Sequence, residues 1–276
     1  MQTRQHILST IVLYIIFGSV FIIVAYPLVW MLYSSLKPQW EIFANPFSLP
    51  NKFFLGNYVK VWTRGNFGTY FFNSILVTVP SVIGIVFFSS LAGYAFARFK
   101  FKGDKIVFFF FLIGIIIPVQ SIIIPSFQIV SKLGLIDTYW ALIFTYFSWG
   151  QVAILILRAF FRSLPQEIIE SAKMDGCSEF QIYGRIALPL AKPAIATVAI
   201  FYFVWVWNNF LYPLLYVTSD EMNTIPLGIM LFRGKYSVDW GAQCAALSIA
   251  TIPAVVIYLL FQDKFVRGLT AGAVKG

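Results

Sequence analysis

Six stretches of this 276-residue chain run for about twenty residues or more without one Asp, Glu, Lys or Arg. They lie between Arg4 and Lys37, Arg64 and Arg98, Lys105 and Lys132, Asp137 and Arg158, Lys192 and Asp220, and Asp239 and Asp263. A helix needs about 20 residues to cross the roughly 30 Å hydrocarbon layer of a bilayer. A spanning strand needs only about 10 and alternates apolar with polar residues. Runs such as Ile106 to Leu112 do not alternate. The pattern predicts an all-α integral membrane protein with six transmembrane helices, near 8–33, 69–97, 106–130, 139–160, 193–218 and 241–262. Composition agrees, because only 11% of the residues are charged and 59% are hydrophobic. A typical soluble domain carries roughly 25% charged residues, so this chain could not cover itself in water. The apolar stretch from Ile7 to Leu32 is longer than the roughly 7–15-residue core of a signal peptide. No small-x-small cleavage site follows it, so it reads as an uncleaved first span.

The net charge of +9 does not point to nucleic acid, because the basic residues stand in short clusters between uncharged runs, as in membrane loops. Six spans put both termini on one side. That side would hold Arg4, Arg98, Lys100, Lys102, Lys105, Arg158, Arg162, Lys173, Arg185, Lys192, Lys264, Arg267 and Lys275, thirteen of the 20 basic residues. The other side holds Lys37, Lys52, Lys60, Arg64, Lys132, Arg233 and Lys235, which is seven. The excess predicts cytoplasmic termini. Cys177 and Cys244 form no CxxC pair, and His6 is the single histidine, so no disulfide framework and no metal site is indicated. No nucleophile, base or metal cluster suggests an enzyme. A proton- or sodium-coupled carrier usually places Asp or Glu inside its spans, and every acidic residue here lies outside the six windows. A purely structural membrane subunit has the same composition, so composition does not exclude it.

One polar segment stands apart. The segment from Arg158 to Lys192 contains nine charges, including Glu167, Glu170, Lys173, Asp175 and Glu179. Each would cost roughly 2.5–3.5 kcal/mol at the membrane centre, so the segment is expected outside the bilayer, on the cytoplasmic face. Ser163 and Gln166 have the spacing of a capping box, with Pro165 in the first turn. Leu164, Ile168, Ile169 and Ala172 fall on one helical face. Gly176 suits the left-handed residue that ends such a helix. Ser178 and Gln181 then open a second helix, bounded by Pro189 and Pro193. The prediction is a helix-turn-helix within a 161–192 loop. Inside the windows, Gln120, Ser121, Gln151, Asn208 and Asn209 carry uncharged polar groups. A buried amide needs partners in hydrocarbon, so these are expected to face the bundle interior.

The residues of the polar segment carry a resemblance. Glu170, Ser171 and Ala172, then Asp175 and Gly176, then nine residues to Ile186, Ala187, Leu188 and Pro189, resemble the E-A-A-x-x-x-G-x9-I-x-L-P loop of ABC-importer permeases. Ser171 stands where the pattern has its first alanine. The resemblance is to the carbohydrate branch, the maltose and multiple-sugar type, and covers nearly the whole chain. It rests also on Glu41 to Phe43, Asn57-Tyr58, Asn73-Ser74, Tyr94 to Gly103, Ile117-Pro118, Ile124-Pro125, Gly134 to Thr138 and Trp207-Asn208. The ending Gly268 to Gly276 is similar to that of the second permease subunit in such pairs.

The resemblance implies one half of a translocation pathway in a bacterial plasma membrane. Its partners would be a second homologous permease, two ATPase subunits and an extracytoplasmic sugar-binding protein. The chain would hold no cofactor of its own, ATP and magnesium being bound by the ATPases; it has no G-x-x-x-x-G-K-[ST] phosphate cradle. Glu170, Ser171, Ala172, Asp175, Gly176, Ile186, Leu188 and Pro189 would couple the chain to an ATPase, with Glu170 pairing with a basic residue there. Gly272, Ala273, Val274 and Lys275, in a 263–276 tail, would reach between the ATPases. Gln120, Gln151, Trp205, Asn208 and Asn209 would be path residues, since amides and aromatic platforms suit hydroxyl-rich ligands. Interhelical hydrogen bonding is the alternative role for those amides.

Overall fold

The computed structural model describes residues 2–232 and 238–273. The described chain is helical nearly throughout. The helices are α1 (Gln2–Ser34), α2 (Gln39–Ala44), α3 (Gly56–Arg64), α4 (Phe67–Arg98), α5 (Asp104–Ile116), α6 (Ile123–Lys132), α7 (Tyr139–Phe147) and α8 (Gln151–Ser163). Then follow α9 (Gln166–Met174), α10 (Glu179–Ile182), α11 (Leu188–Leu190), α12 (Lys192–Trp207), α13 (Leu211–Tyr216), α14 (Ile225–Gly228) and α15 (Trp240–Ala273).

Three continuous apolar helices are long enough to cross a bilayer: Thr10–Ser34, Phe67–Arg98 and Trp240–Gln262. Three bent pairs pass the same test only when each is taken together. They are Asp104–Ile116 with Val119–Lys132 at 99°, Tyr139–Phe147 with Gln151–Ser163 at 44°, and Glu179–Leu190 with Lys192–Trp207 at 74°. The first bend is written in the sequence. Pro118 has no N–H to donate and pushes Ile117 out of the helical region, to ψ 119°. A 3-10 turn over Val119–Ile122 follows before α6 begins. The fifth window, drawn as one span over 193–218, is interrupted: α12 stops at Trp207, Asn208 caps it, and α13 starts only at Leu211.

The chain divides into two compact units, residues 1–68 with 228–252, and residues 69–227 with 253–276. In the first, α1 carries no buried residue along its 18-residue apolar window. Its C-terminal end is tied to the following loop by polar groups. Asn57 is buried and its amide donates to the carbonyls of Ser35 and Lys37, both at 2.8 Å. Lys60 pairs with Asp239 at the surface.

The second unit holds the main core. Ile85 of α4, Leu142 and Tyr146 of α7, Leu157 and Phe161 of α8, Val198 of α12, and Tyr212 and Tyr216 of α13 are all buried in one cluster. Its aromatic members meet edge-on, Tyr146 against both Trp205 and Tyr212 at 5.7 Å between centroids, the offset geometry that ring quadrupoles favour. Small residues let the backbones approach. A Cβ at Gly93 of α4 would lie 3.0 Å from the amide nitrogen of Arg158 on α8, and one at Gly84 would collide with the Phe147 ring. Close packing over glycine is a common device between helices that have no water to expel.

Candidate functional site

The 164–190 segment folds as a helix-turn-helix with its own small core. Ile169 and Ala172 of α9 pack on Ile182 of α10, with Cys177 and Ile186 at the edge. The turn is a Schellman motif: the Gly176 N–H donates to the Lys173 carbonyl and the Cys177 N–H to that of Ala172, both at 3.0 Å. Gly176 sits at φ 78°, the left-handed region that glycine reaches without steric cost. Ser178 caps α10 in a full capping box, its backbone N–H donating to Gln181 Oε1 at 2.8 Å while its hydroxyl accepts from the Gln181 N–H. Lys173 and Glu179 form an exposed ion pair at 2.6 Å. Between α10 and α11 the backbone takes a π-helical turn over Tyr183–Ala187.

Two sequence expectations for this segment are corrected. The capping box expected at Ser163 is absent. Ser163 is the last residue of α8 and its hydroxyl bonds back to the Phe160 carbonyl, while Pro165 is the N-cap of α9 and offers no side-chain acceptor. Ile168 does not share the buried face with Ile169 and Ala172; it is exposed. The buried stripe is narrow because α9 rests on a two-helix turn rather than on a wide sheet or bundle.

Glu170 and Ser171 are exposed, and Glu170 Oε1 accepts from the Gln166 amide at 3.2 Å. Asp175 is the exposed C-cap of α9. Ile186 and Leu188 are half-buried, Leu188 against the main core, and Pro189 is exposed. On the same segment Met174 and Phe180 stand 88% and 82% exposed, large apolar side chains with nothing of this chain over them. Burying either would yield about 1.5–3 kcal/mol.

Sequence reasoning gave no role to the residues that hold this segment in place. Arg98, at the end of α4, donates to the Leu164 carbonyl and to Gln166 Oε1, each at 3.0 Å. Ser90, two turns earlier, meets the Tyr183 hydroxyl at 2.7 Å in a buried contact. Arg158 donates to the Phe96 carbonyl and lies 3.8 Å from the centre of the Phe108 ring. Arg98 at the end of α4, facing a helix-terminal carbonyl without a helical partner, was the signal available.

The five expected path residues are not brought together. Gln120 and Asn208 are exposed on this chain, and the Asn208 amide donates to the Val204 carbonyl of its own helix at 2.8 Å. Gln151 and Asn209 are half-buried. Gln151 donates to the Ser148 carbonyl at 2.7 Å and lies against Gly114 of α5, beside a pocket lined by Ser89, Phe111 and Phe147. Asn209, just before α13, accepts through its side-chain oxygen from the Tyr212 N–H. Trp205 belongs to the aromatic cluster with Tyr146, Trp149 and Tyr202. Of the tail, Gly272 and Ala273 close α15, and Val274 and Lys275 lie outside the described residues.

A second constellation sits at residues 217–225, held almost wholly by side chains from elsewhere. The Asn73 amide donates to the carbonyls of Glu221 and Asn223 at 2.7 and 2.9 Å, and its oxygen accepts from the Tyr139 hydroxyl at 2.7 Å. Ser74 Oγ accepts from the Ile225 N–H. Asp137, in the left-handed region at φ 61°, accepts from the N–H groups of Thr218 and Ser219 and from the Ser219 hydroxyl. Those donors favour the carboxylate and hold its pKa down, at about 2.

Apolar helices long enough to cross a bilayer, with a polar helix-turn-helix after the fourth apolar stretch, are the pattern of a helical membrane protein. The family model for the binding-protein-dependent transport system inner membrane component matches residues 85–271, and the chain belongs to that family. Its relatives are named as permease proteins, some of ABC transporters and others of sugar transport or uptake systems. The trehalose/maltose transport system permease MalG of Thermococcus litoralis is 37% identical over 99% of this chain and 99% of its own length. The probable permease YurM of Bacillus subtilis is 37% identical over 92% and 85%. The diacetylchitobiose uptake permease NgcG of Streptomyces coelicolor is 34% identical over 92% and 85%. A chain of a bacterial ABC transporter that imports the polysaccharide alginate has the same fold, with a TM-score of 0.85 at 22% identity over 95% of this chain and 98% of that one. The chain is therefore an all-α membrane component of an ABC importer, a transport subunit and not an enzyme.

Proposed function

We propose that this chain forms one half of the translocation pathway of a carbohydrate importer and couples it to ATP hydrolysis through the 166–190 helix-turn-helix. The observation that carries the reading is the surface of that segment. Glu170, Met174 and Phe180 project from a polar helical pair that is fixed to α4 yet covered by nothing of this chain. A charge beside two uncovered apolar side chains suits a protein cleft with a basic residue at its rim. Relatives named for maltose, arabinooligosaccharides and diacetylchitobiose support a carbohydrate cargo.

In this reading the three straight helices, the bent pairs 104–132 and 139–163, and α12 with α13 make six spans, the termini are cytoplasmic, and 161–192 is a cytoplasmic loop. A second permease completes the path, two ATPases dock below it, and a binding protein delivers the sugar. Ser171, Ala172, Asp175, Gly176, Ile186, Leu188 and Pro189 shape the docking element, and the 272–275 tail contacts the ATPases. Gln120, Gln151, Trp205, Asn208 and Asn209 stay proposals for the path; the exposure of Gln120 and Asn208 fits a path completed by a second chain.

The test is Glu170→Ala in the assembled complex. Losing one partner of a hydrogen-bonded interfacial charge pair costs about 2–5 kcal/mol when the other charge stays buried. ATPase retention is expected to fall roughly 30-fold or more. Sugar uptake should be lost while membrane insertion stays normal, because Glu170 is exposed and its carboxylate accepts from Gln166 of its own helix. Wild-type retention and uptake together would remove Glu170 from the coupling role.

A further inference from the structure

The loop that follows α1 is built inside out. Lys37 is fully buried and Glu41 is 2% exposed, while Trp40, Phe43, Phe47 and Phe53 are 65–78% exposed. A loop that stood in water would have the opposite arrangement, since burying charges is uphill and exposing large rings gains nothing. Both buried charges have short-range hydrogen-bond partners. The Lys37 ammonium donates to the Asn45 carbonyl at 3.0 Å and to Ser48 Oγ at 3.3 Å, with the Tyr33 ring 5.0 Å away. Glu41 Oε1 accepts from both the backbone and the side-chain N–H of Asn51 at 2.9 Å. Phe54 donates its N–H to the Leu36 carbonyl at 2.9 Å, returning the chain to the end of α1.

The loop also dips beside α1. The Trp30 indole N–H donates to the Pro46 carbonyl at 2.9 Å. Trp30 lies four residues before the last residue of α1, so Pro46 sits about 6 Å below the helix end, at 1.5 Å rise per residue. Helix α1 is an apolar span whose surface this chain leaves bare, and the aromatic patch continues that surface. Tryptophan and other aromatic rings at such a depth match the belt at the membrane–water boundary, where interfacial elements settle about 5–10 Å into the headgroup region.

We propose that residues 38–55 form an interfacial element, seated with Trp40, Phe43 and Phe47 in the lipid boundary of the leaflet at the C-terminal end of α1. In the orientation proposed above, on which only the choice of leaflet rests, this is the outer leaflet. The internal bonds of Lys37 and Glu41 keep the polar groups of the loop out of lipid, and Lys52, exposed beside Asn51, remains on the water side.

The test uses the assembled transporter in proteoliposomes, in a Cys177→Ser, Cys244→Ala background checked for assembly. Spin labels are placed at Phe43→Cys, Phe47→Cys and Lys52→Cys. At 43 and 47, collisions with oxygen should exceed those with a water-soluble nickel chelate by severalfold, and at 52 the order should reverse. Preference for the nickel chelate at 43 and 47 would mean that the loop stands in water. Exclusion of both would mean that a protein subunit covers it; either result overturns the proposal. If the cysteine background does not assemble, a benzoylphenylalanine at position 47 of the otherwise unchanged chain decides instead. A photoadduct to phospholipid is expected, and an adduct to another subunit, or none, overturns the proposal. A membrane-impermeant thiol reagent at residue 52 assigns the leaflet separately, so a wrong orientation and a wrong partner give different results.

Discussion

The 164–190 and 217–225 segments are both irregular stretches between apolar helices, and they are held by opposite means. The first is assembled locally. Its cap, its Schellman turn, its ion pair and its small core join residues within about one turn-and-helix of each other. The second has few such devices of its own and is pinned by Asn73, Ser74 and Asp137, from 81 to 151 residues away in sequence. A locally built element keeps its shape when its surroundings move, as a docking element must. A segment pinned by remote side chains keeps its shape only while those helices stay where they are.

That contrast can be broken by mutation. The largest effect is expected for Asn73→Ala, which leaves the carbonyls of Glu221 and Asn223 and the Tyr139 hydroxyl unpartnered at once. A buried orphan, here the Asn223 carbonyl, costs about 1–3 kcal/mol. Hydrogen exchange in 219–225 should quicken by 100-fold or more, with 166–182 unchanged; equal acceleration in both segments would end the distinction. Next comes acid. The Asp137 pKa is depressed from 3.8 to about 2, so its stabilisation of 217–219 is complete at neutral pH. It fades as pH falls from about 4 towards 2. Exchange in 217–219 should show that pH dependence in the wild type and lose it in Asp137→Asn. A smaller change is expected for Ser178→Ala, where losing an N-cap costs about 1 kcal/mol and frays α10 alone. Smallest is Lys173→Ala, since an exposed ion pair is worth at most about 1 kcal/mol; helicity of α9 should hold within measurement error.

The same contrast explains what could be read in advance. Gly176, Ser178 with Gln181, and the apolar pair Ile169 and Ala172 are short-range signals, and the helix-turn-helix built on them stands in the structure. Ser163 misled because serine three residues before glutamine is also found at a helix end, where its hydroxyl bonds backward. The bends at Pro118 and near Lys192-Pro193 were visible as prolines, but hydropathy windows count apolar residues and are blind to direction. The exposure of Asn208 and Gln120 was not legible either, because polarity inside an apolar window does not say which neighbour satisfies it. Asn73 and Ser74 were noticed only as part of a resemblance. Their task depends on a segment some 150 residues away, and no local pattern encodes it.

Helix α4 carries both sets of fastenings. Asn73 and Ser74, near its start, grip 221–225; Ser90 and Arg98, near its end, grip Tyr183 and the entry to α9. From Asn73 to Arg98 is 25 residues, about 38 Å of helix. The helix thus acts as a connecting rod. If it stays straight, a tilt of about 5° that leaves one clamp still displaces the other by about 3 Å over that length. The rod has one soft joint, Pro80, where a rung of the hydrogen-bond ladder is missing. Any motion that separates the two clamped segments has to be taken up there or tear a clamp open.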